Sequence, residues 1–292
     1  AMDILTNYTF QIVALGSVLL AVAAAPVGAF SVYKGQSLIG DAIGHSTFPG
    51  IILAYMAFAT RSPVILLAGA ILAGAASYAL IQLAHRDKRL GLDANLAIFL
   101  SGFFGLGMAL KSFIQGNPAY AGASQAGLGT YIFGQAAYML EADVLLIAAI
   151  SALVLTLLLL FYKELKLFVF DAEYAEVVGL PCRLLNLLLL VMTIAVIGIG
   201  IKAVGAILIS SFLIIPCVAA NQWSNNFARV LLLSSLIGAV SALIGTYIST
   251  LEQGMSTGPS IILVASLIAF FSIVFGTKGI LGRVLKRRHA HG

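Results

Sequence analysis

The chain has 292 residues, 61% of them apolar and 9% charged, with a formal net charge of +5 and a mean hydropathy of +1.07. That composition far exceeds what a soluble domain needs to fill a core, so it excludes a soluble enzyme or nucleic-acid-binding module and identifies an integral membrane protein. Long Leu, Ile, Ala and Val runs, rather than short alternating strands between turns, predict an all-α, polytopic transmembrane helix bundle in one domain over 1–292.

The first residues, AMDILTNYTF, carry an acid and no base ahead of an apolar run long enough to span. A first span that stays in place is therefore expected, not a cleaved signal. Hydropathy, broken by charges, Gly and Pro, then places spans near 10–32, 37–60, 63–84, 94–115, 143–163, 184–201, 203–221, 226–250 and 259–277. The count is about nine, bounded by eight and ten, because only KAVG separates 184–201 from 203–221 and Pro216 interrupts the second of them. One of that pair is a candidate broken or re-entrant element lining a cavity. Stretches such as GAILAGAAS, GFFGLG and GAVSALIG let helix backbones approach closely, and no internal repeat stands out. Cys182 and Cys217 match no metal or redox spacing and imply no disulfide.

Basic residues set the expected orientation, since cytoplasmic loops retain Lys and Arg. With the N-terminus outside and the C-terminus in the cytoplasm, the inward loops and tail hold thirteen of the sixteen bases. Only Arg61, Lys111 and Lys202 fall outside or at outer span ends. The basic tail, 278–292, is what the cytoplasmic end of a last span commonly looks like against anionic lipid, and no substrate role is assigned to it.

Two stretches stand apart from this apolar background. Of eleven acidic residues, only Asp41 lies well inside a predicted span, and of four histidines only His45 does. At i and i+4 on one helix they share a face, about one turn apart. A charge in the bilayer costs at least a few kcal/mol, so such a group normally faces a cavity or partner and marks a path for ions. One carboxylate oxygen and one imidazole nitrogen suit manganese, iron(II) or zinc, although a plain Asp41–His45 hydrogen bond would also account for the spacing. One Asp and one His are too few for a metal site, whereas two copies about a dimer axis would supply four ligands. Pro49 and Gly50 are expected to break or loosen the helix just beyond the pair. With a span of 37–60, His45 lies roughly 5 Å and Asp41 roughly 10 Å from the midpoint, towards the cytoplasm.

The second stretch, KELKLFVFDAEYAEVVGLPCRLLN from Lys163 to Asn186, is too polar to span. Asp171 can cap a short helix over AEYAEVV, Gly179 can end it in the left-handed conformation, and Pro181 prevents its continuation. A short capped helix of about 171–180 reads as a docking element or as an ordinary interfacial loop.

Together these stretches resemble the membrane permeases of ABC transporters that import zinc, manganese or iron. GDAIGHSTFPGI is similar to that family's Gly-Asp-Ala-x-x-His-x-x-x-Pro-Gly signature, and FDAEYAEVVGL to its Phe-Asp-x-x-x-Ala-x-x-x-Gly coupling segment. AVGAILISSFLIIPCVAA and STGPSIILV extend the likeness along nearly the whole chain. The resemblance implies that Asp41 and His45 coordinate the transported metal, and that Phe170, Asp171, Ala175 and Gly179 form the contact with an ATP-binding cassette ATPase. It further implies an extracytoplasmic metal-binding protein and a second permease chain, identical or related, in a bacterial plasma membrane. No permanent cofactor is expected, and ATP belongs to the partner subunit, because no G-x-x-x-x-G-K-[ST] sequence occurs here. ASQAGLGTYIFGQAA, 123–137, resembles the manganese-type branch, with zinc or iron as the other cargoes; Gly44, where many relatives have Ser, is a departure.

The rival from another class is a proton-coupled secondary metal transporter using Asp41 and His45 as exchangeable sites, which would need no docking helix. An intramembrane protease would need a second membrane acid or a positioned nucleophile, and no Gly-x-Ser-x-Gly elbow is present, so no enzymatic activity is expected of this chain.

Overall fold

The computed structural model describes residues 7–60, 62–85, 91–117, 139–205, 208–251 and 255–281, which form eleven helices and no strand. Nine of the helices fall on the nine predicted spans. In the first half these are α1 (Tyr8–Tyr33), α2 (Ile39–Phe58), α3 (Pro63–His85), α4 (Leu92–Gly116) and α5 (Glu141–Leu160). Two shorter helices follow, α6 (Tyr162–Phe170) and α7 (Ala172–Val177). The second half comprises α8 (Cys182–Val204), α9 (Ile209–Asn221), α10 (Phe227–Leu251) and α11 (Thr257–Phe275).

Seven of these helices are long and apolar enough to cross a bilayer. The two further spans are exceptions for different reasons. α2 has the length, with 20 residues, but Asp41, His45 and Pro49 lower its hydropathy. α9 is apolar, but its 13 residues rise only about 20 Å, short of the ~30 Å hydrocarbon layer.

α1 is apolar on every side, and a helix without a polar face packs in the interior. In its most apolar 18-residue stretch 72% of residues are buried, against 11% in α4, which lies on the outside. α10, α9, α5 and α8 surround α1, while α2 packs chiefly between α3 and α4. The α2–α3 crossing is close enough that a Cβ on Gly50 would stand 2.2 Å from the Gly69 carbonyl oxygen. Pro49 and Gly50 therefore do not break α2, which runs unbroken through both. The carbonyl that Pro49 leaves without its helical donor costs one bond, but Gly50 serves backbone contact between helices rather than a loosened cavity wall.

Between α8 and α9 the chain does break. Gly205 adopts φ +94°, ψ 156°, a region open essentially to glycine alone. α9 then starts within the bundle: a Cβ on Gly200 would meet Ile209 Cδ1 at 2.3 Å and Leu20 Cδ1, near the middle of α1, at 3.4 Å. It ends where α1 ends, with Tyr33 OH donating to Asn221 Oδ1 at 2.9 Å. The uncertain pair of predicted spans is thus one full helix followed by a half-length one.

The same end of the bundle gathers the loop after α1, the α6–α7 segment, the α9–α10 turn and the residues after α11. Lys34 Nζ donates to Asn186 Oδ1 and sits over the Phe168 ring, 4.8 Å from its centroid. Lys278 Nζ donates to the Ser224 carbonyl at 2.6 Å. Burial pushes the Lys34 amine down to about 8 from its ordinary 10.5. At the other end Tyr8 donates to Glu141, and Ser249 to Thr257 at 3.2 Å. The stretches 123–137 and 282–292, and so most of the predicted outer loop and basic tail, lie outside the described residues.

Candidate metal centre

α2 begins at Ile39 after a cap on Leu38, which puts Asp41 in its first turn, where the helix dipole favours a carboxylate. From the helix midpoint His45 is displaced by about 5 Å and Asp41 by about 11 Å at 1.5 Å per residue. The pair does share a face, with His45 Nε2 lying 3.5 Å from Asp41 Oδ1. That separation exceeds the 2.7–3.2 Å range of a good N–H···O bond, so the two do not close on each other. Their side chains are 13% and 29% exposed respectively.

Other elements hold each member. Ser210, in the first turn of α9, donates its hydroxyl to Asp41 Oδ1 at 2.9 Å. Phe104 of α4 meets the imidazole edge to face, with ring centroids 5.0 Å apart. His45 Nδ1 is buried and finds no hydrogen-bond partner among the described residues. A carboxylate oxygen and an imidazole nitrogen, oriented by neighbours and partly open, form a two-donor fragment suited to a borderline divalent cation. No group of three or more His, Cys, Asp or Glu side chains that could hold a metal occurs among the described residues.

Sequence reasoning did not single out Ser210 or Phe104. Ser210 lies in ILISSFLIIP, where two serines look like the small polar residues that line any helix contact. Only the α8–α9 break, which starts α9 at the level of α2's first turn, gives one of them a distinct partner.

The predicted short capped helix is present as α7. Asp171 Oδ1 accepts from the Tyr174 amide at 2.9 Å. At the other end the Gly179 amide bonds the Glu176 carbonyl and the Leu180 amide the Ala175 carbonyl, both at 3.0 Å, with Gly179 at φ +86°. These paired bonds around a left-handed residue are the Schellman arrangement that glycine permits. Ala175, one of the residues the resemblance assigns to the ATPase contact, is fully buried against its own chain, at 0% exposure. A helix on the bundle must turn one side inward, and Ala175 is small enough to be that side. The outward apolar side chains are Tyr174, Val177 at 82% exposure, and Val178. Phe170 is divided, half exposed yet with its ring 5.1 Å from Phe227 and 5.3 Å from Tyr33.

Comparison with known proteins covers almost the whole chain. Residues 6–276 match the model of the ABC 3 transport family, ABC-3. The zinc transport system membrane protein TroC of Treponema pallidum is 39% identical over 288 residues, covering 98% of this chain and 96% of that protein. The manganese transport system membrane protein MntC of Bacillus subtilis is 40% identical over 268 residues, covering 92% of this chain and 61% of that one. Among solved structures, PsaBC from Streptococcus pneumoniae in complex with Fab superposes with a TM-score of 0.84 at 26% identity, covering 98% of both chains.

Proposed function

Because the chain belongs to the ABC 3 transport family, whose members include permease subunits of zinc, manganese and iron transport systems, we propose that it imports a divalent transition metal, held in transit by Asp41 and His45. The observation that carries this is the pair itself: an acid and an imidazole one turn apart on α2, 3.5 Å from each other yet not bonded together. A cation placed between them and stripped of most of its water gains an oxygen and a nitrogen ligand. A second copy of the chain, or a related permease, contributes the matching pair about the dimer axis and completes four ligands.

The bases Lys34, Lys163, Lys166, Arg183, Arg229 and Lys278 belong to segments gathered at one end of the bundle, which supports a cytoplasmic assignment for that end, with the N-terminus outside. At that end α7 presents Tyr174, Val177 and Val178 outward, an apolar patch of the kind a partner covers. That partner is the ATPase subunit, since this chain carries no phosphate-binding loop. An extracytoplasmic binding protein delivers the metal to the opposite face.

Manganese is the favoured cargo on the strength of ASQAGLGTYIFGQAA; the near-equal likeness to TroC and MntC leaves zinc as a competitor to be tested, and a relative named as a probable iron transport system membrane protein adds iron. The test is uptake of radioactive manganese into vesicles carrying the permease and supplied with the binding protein, with and without the ATPase subunit and ATP, challenged by unlabelled zinc and iron. Uptake only with ATPase and ATP is expected. Equal uptake without them, driven by a proton gradient, overturns the ATP-driven reading in favour of a proton-coupled carrier.

A further inference from the structure

α9 is tied by a side-chain hydrogen bond at each end, to Asp41 in the first turn of α2 and to Tyr33 at the end of α1, eight residues earlier in the chain. At its start, Ser210 donates to Asp41 Oδ1. At its finish, Asn221 Oδ1 accepts from Tyr33 OH at 2.9 Å and from Lys278 Nζ at 3.3 Å. The Tyr33 ring in turn rests 5.3 Å from Phe170, the residue directly before the Asp171 cap of α7. Phe227 closes the contact from the other side, 5.0 Å from Tyr33 and 5.1 Å from Phe170. Between its ends α9 is helical throughout, Pro216 included, and the glycine-only backbone at Gly205 frees it from the axis of α8.

We propose that α9 transmits displacement of the docking helix to the metal pair, with Tyr33 and Ser210 as positioning residues at its two ends. A helix is stiff along its axis, so a shift imposed on Asn221 reaches Ser210 with little loss. Ser210 then turns or releases one oxygen of Asp41 through a charge-assisted hydrogen bond, the stronger kind. Coupling of this sort needs a physically continuous element that both sites can bias, and α9 is continuous from one bond to the other. The inference rests on α7 as the ATPase dock and on Asp41 and His45 as cation ligands.

The test uses the reconstituted complex of permease, ATPase and binding protein, with manganese as the probe, and reads basal and manganese-stimulated ATP hydrolysis. Tyr33→Phe and Ser210→Ala each remove one hydroxyl. Each should lower the ratio of manganese-stimulated to basal hydrolysis by about three- to tenfold, the scale of one hydrogen bond. Because both act through one rod, the double variant should be no worse than the poorer single, and Ser210→Thr, which keeps a hydroxyl, should restore stimulation. Full stimulation in either single variant, or losses that multiply in the double, overturns the proposal. Should Tyr33→Phe fail to assemble, Asn221→Ala cuts the same bond from its other side and is judged by the same outcomes. Asp41→Asn run in parallel, with radioactive manganese uptake measured on the same reconstituted complex, separates the two ideas: if it keeps normal uptake, the metal-site reading fails, whereas loss of its uptake beside fully stimulated Tyr33→Phe and Ser210→Ala refutes α9 transmission alone.

Discussion

The polar pair on α2 and the short helix α7 are both breaks in an apolar chain, and they are held in opposite ways. α7 is locally complete: Asp171 caps its first turn, Gly179 closes its last, and Ala175 seats it on the bundle. Its remaining apolar side chains point away from the molecule. Asp41 and His45 depend on residues distant in sequence, Ser210 on α9 and Phe104 on α4. If α7 is the proposed dock, its surface has to exist before the partner arrives, so local rules suffice to build it. If the pair holds a cation as proposed, its donors have to be held apart from each other, which the contacts from α9 and α4 do.

The comparison can be broken from the α7 side first, where the largest effect is expected. Val177→Asp changes a side chain that touches little of its own chain, so the permease should insert and fold normally. It places a charge in the centre of the proposed contact, and loss of a central apolar anchor costs on the order of 2 kcal/mol or more. Co-purification with the ATPase should fall by at least about thirtyfold, while manganese binding by the permease persists. Ala175→Arg should differ in kind, because an arginine cannot fit at a fully buried position. It should lower the melting temperature of the isolated permease as well as ATPase binding.

Gly179→Val tests the local closure of α7. At φ +86° a β-branched residue costs roughly 1–3 kcal/mol, which should weaken ATPase binding in titrations by about tenfold and leave the α2 pair untouched. A smaller effect is expected from pH at the other region. Metal ligands of these types bind a cation in their deprotonated forms, so if the α2 pair holds the metal as proposed, the manganese concentration for half-maximal uptake should rise as pH is lowered from about 7.5 to about 5.5. A flat profile would place the ligands elsewhere.

The smallest expected effect concerns Lys34, whose amine lies beside α6 and is held down to about 8. Between about 8 and its ordinary 10.5, the unfolded chain binds more protons at this group than the folded one, so stability rises with pH in that window. The melting temperature of the parent minus that of Lys34→Met should therefore increase by a few degrees from about pH 7 to about pH 9.5. A difference that shrinks would contradict the burial of the charge.

Sequence legibility follows the same division. Asp171, Gly179 and Pro181 announced α7 because capping acts between neighbours, and the spans were readable because a bilayer demands about 20 apolar residues in a row. Asp41 and His45 were conspicuous as the only acid and the only histidine deep in a span. Ser210, Phe104 and the inward turn of Ala175 were not legible, since each depends on which helices become neighbours. Pro49 and Gly50 misled for a related reason: a Pro-Gly pair has a local meaning as a helix breaker, and here the Gly50–Gly69 contact overrides it. α6 was missed because its polar residues read as loop, although Leu165 and Phe168 bury one side of it.

The most direct test of the metal pair is radioactive manganese uptake by the assembled complex carrying Asp41→Asn, with protein level and ATPase co-purification measured on the same vesicles. The substitution keeps the size of the side chain and an acceptor for Ser210 while removing the charge. Uptake should fall to background with protein level and assembly at parental values, and His45→Ala should behave alike. Normal uptake in Asp41→Asn would contradict the assignment of the α2 pair to the metal, and loss of folded, assembled complex would show that Asp41 is there to hold the bundle together.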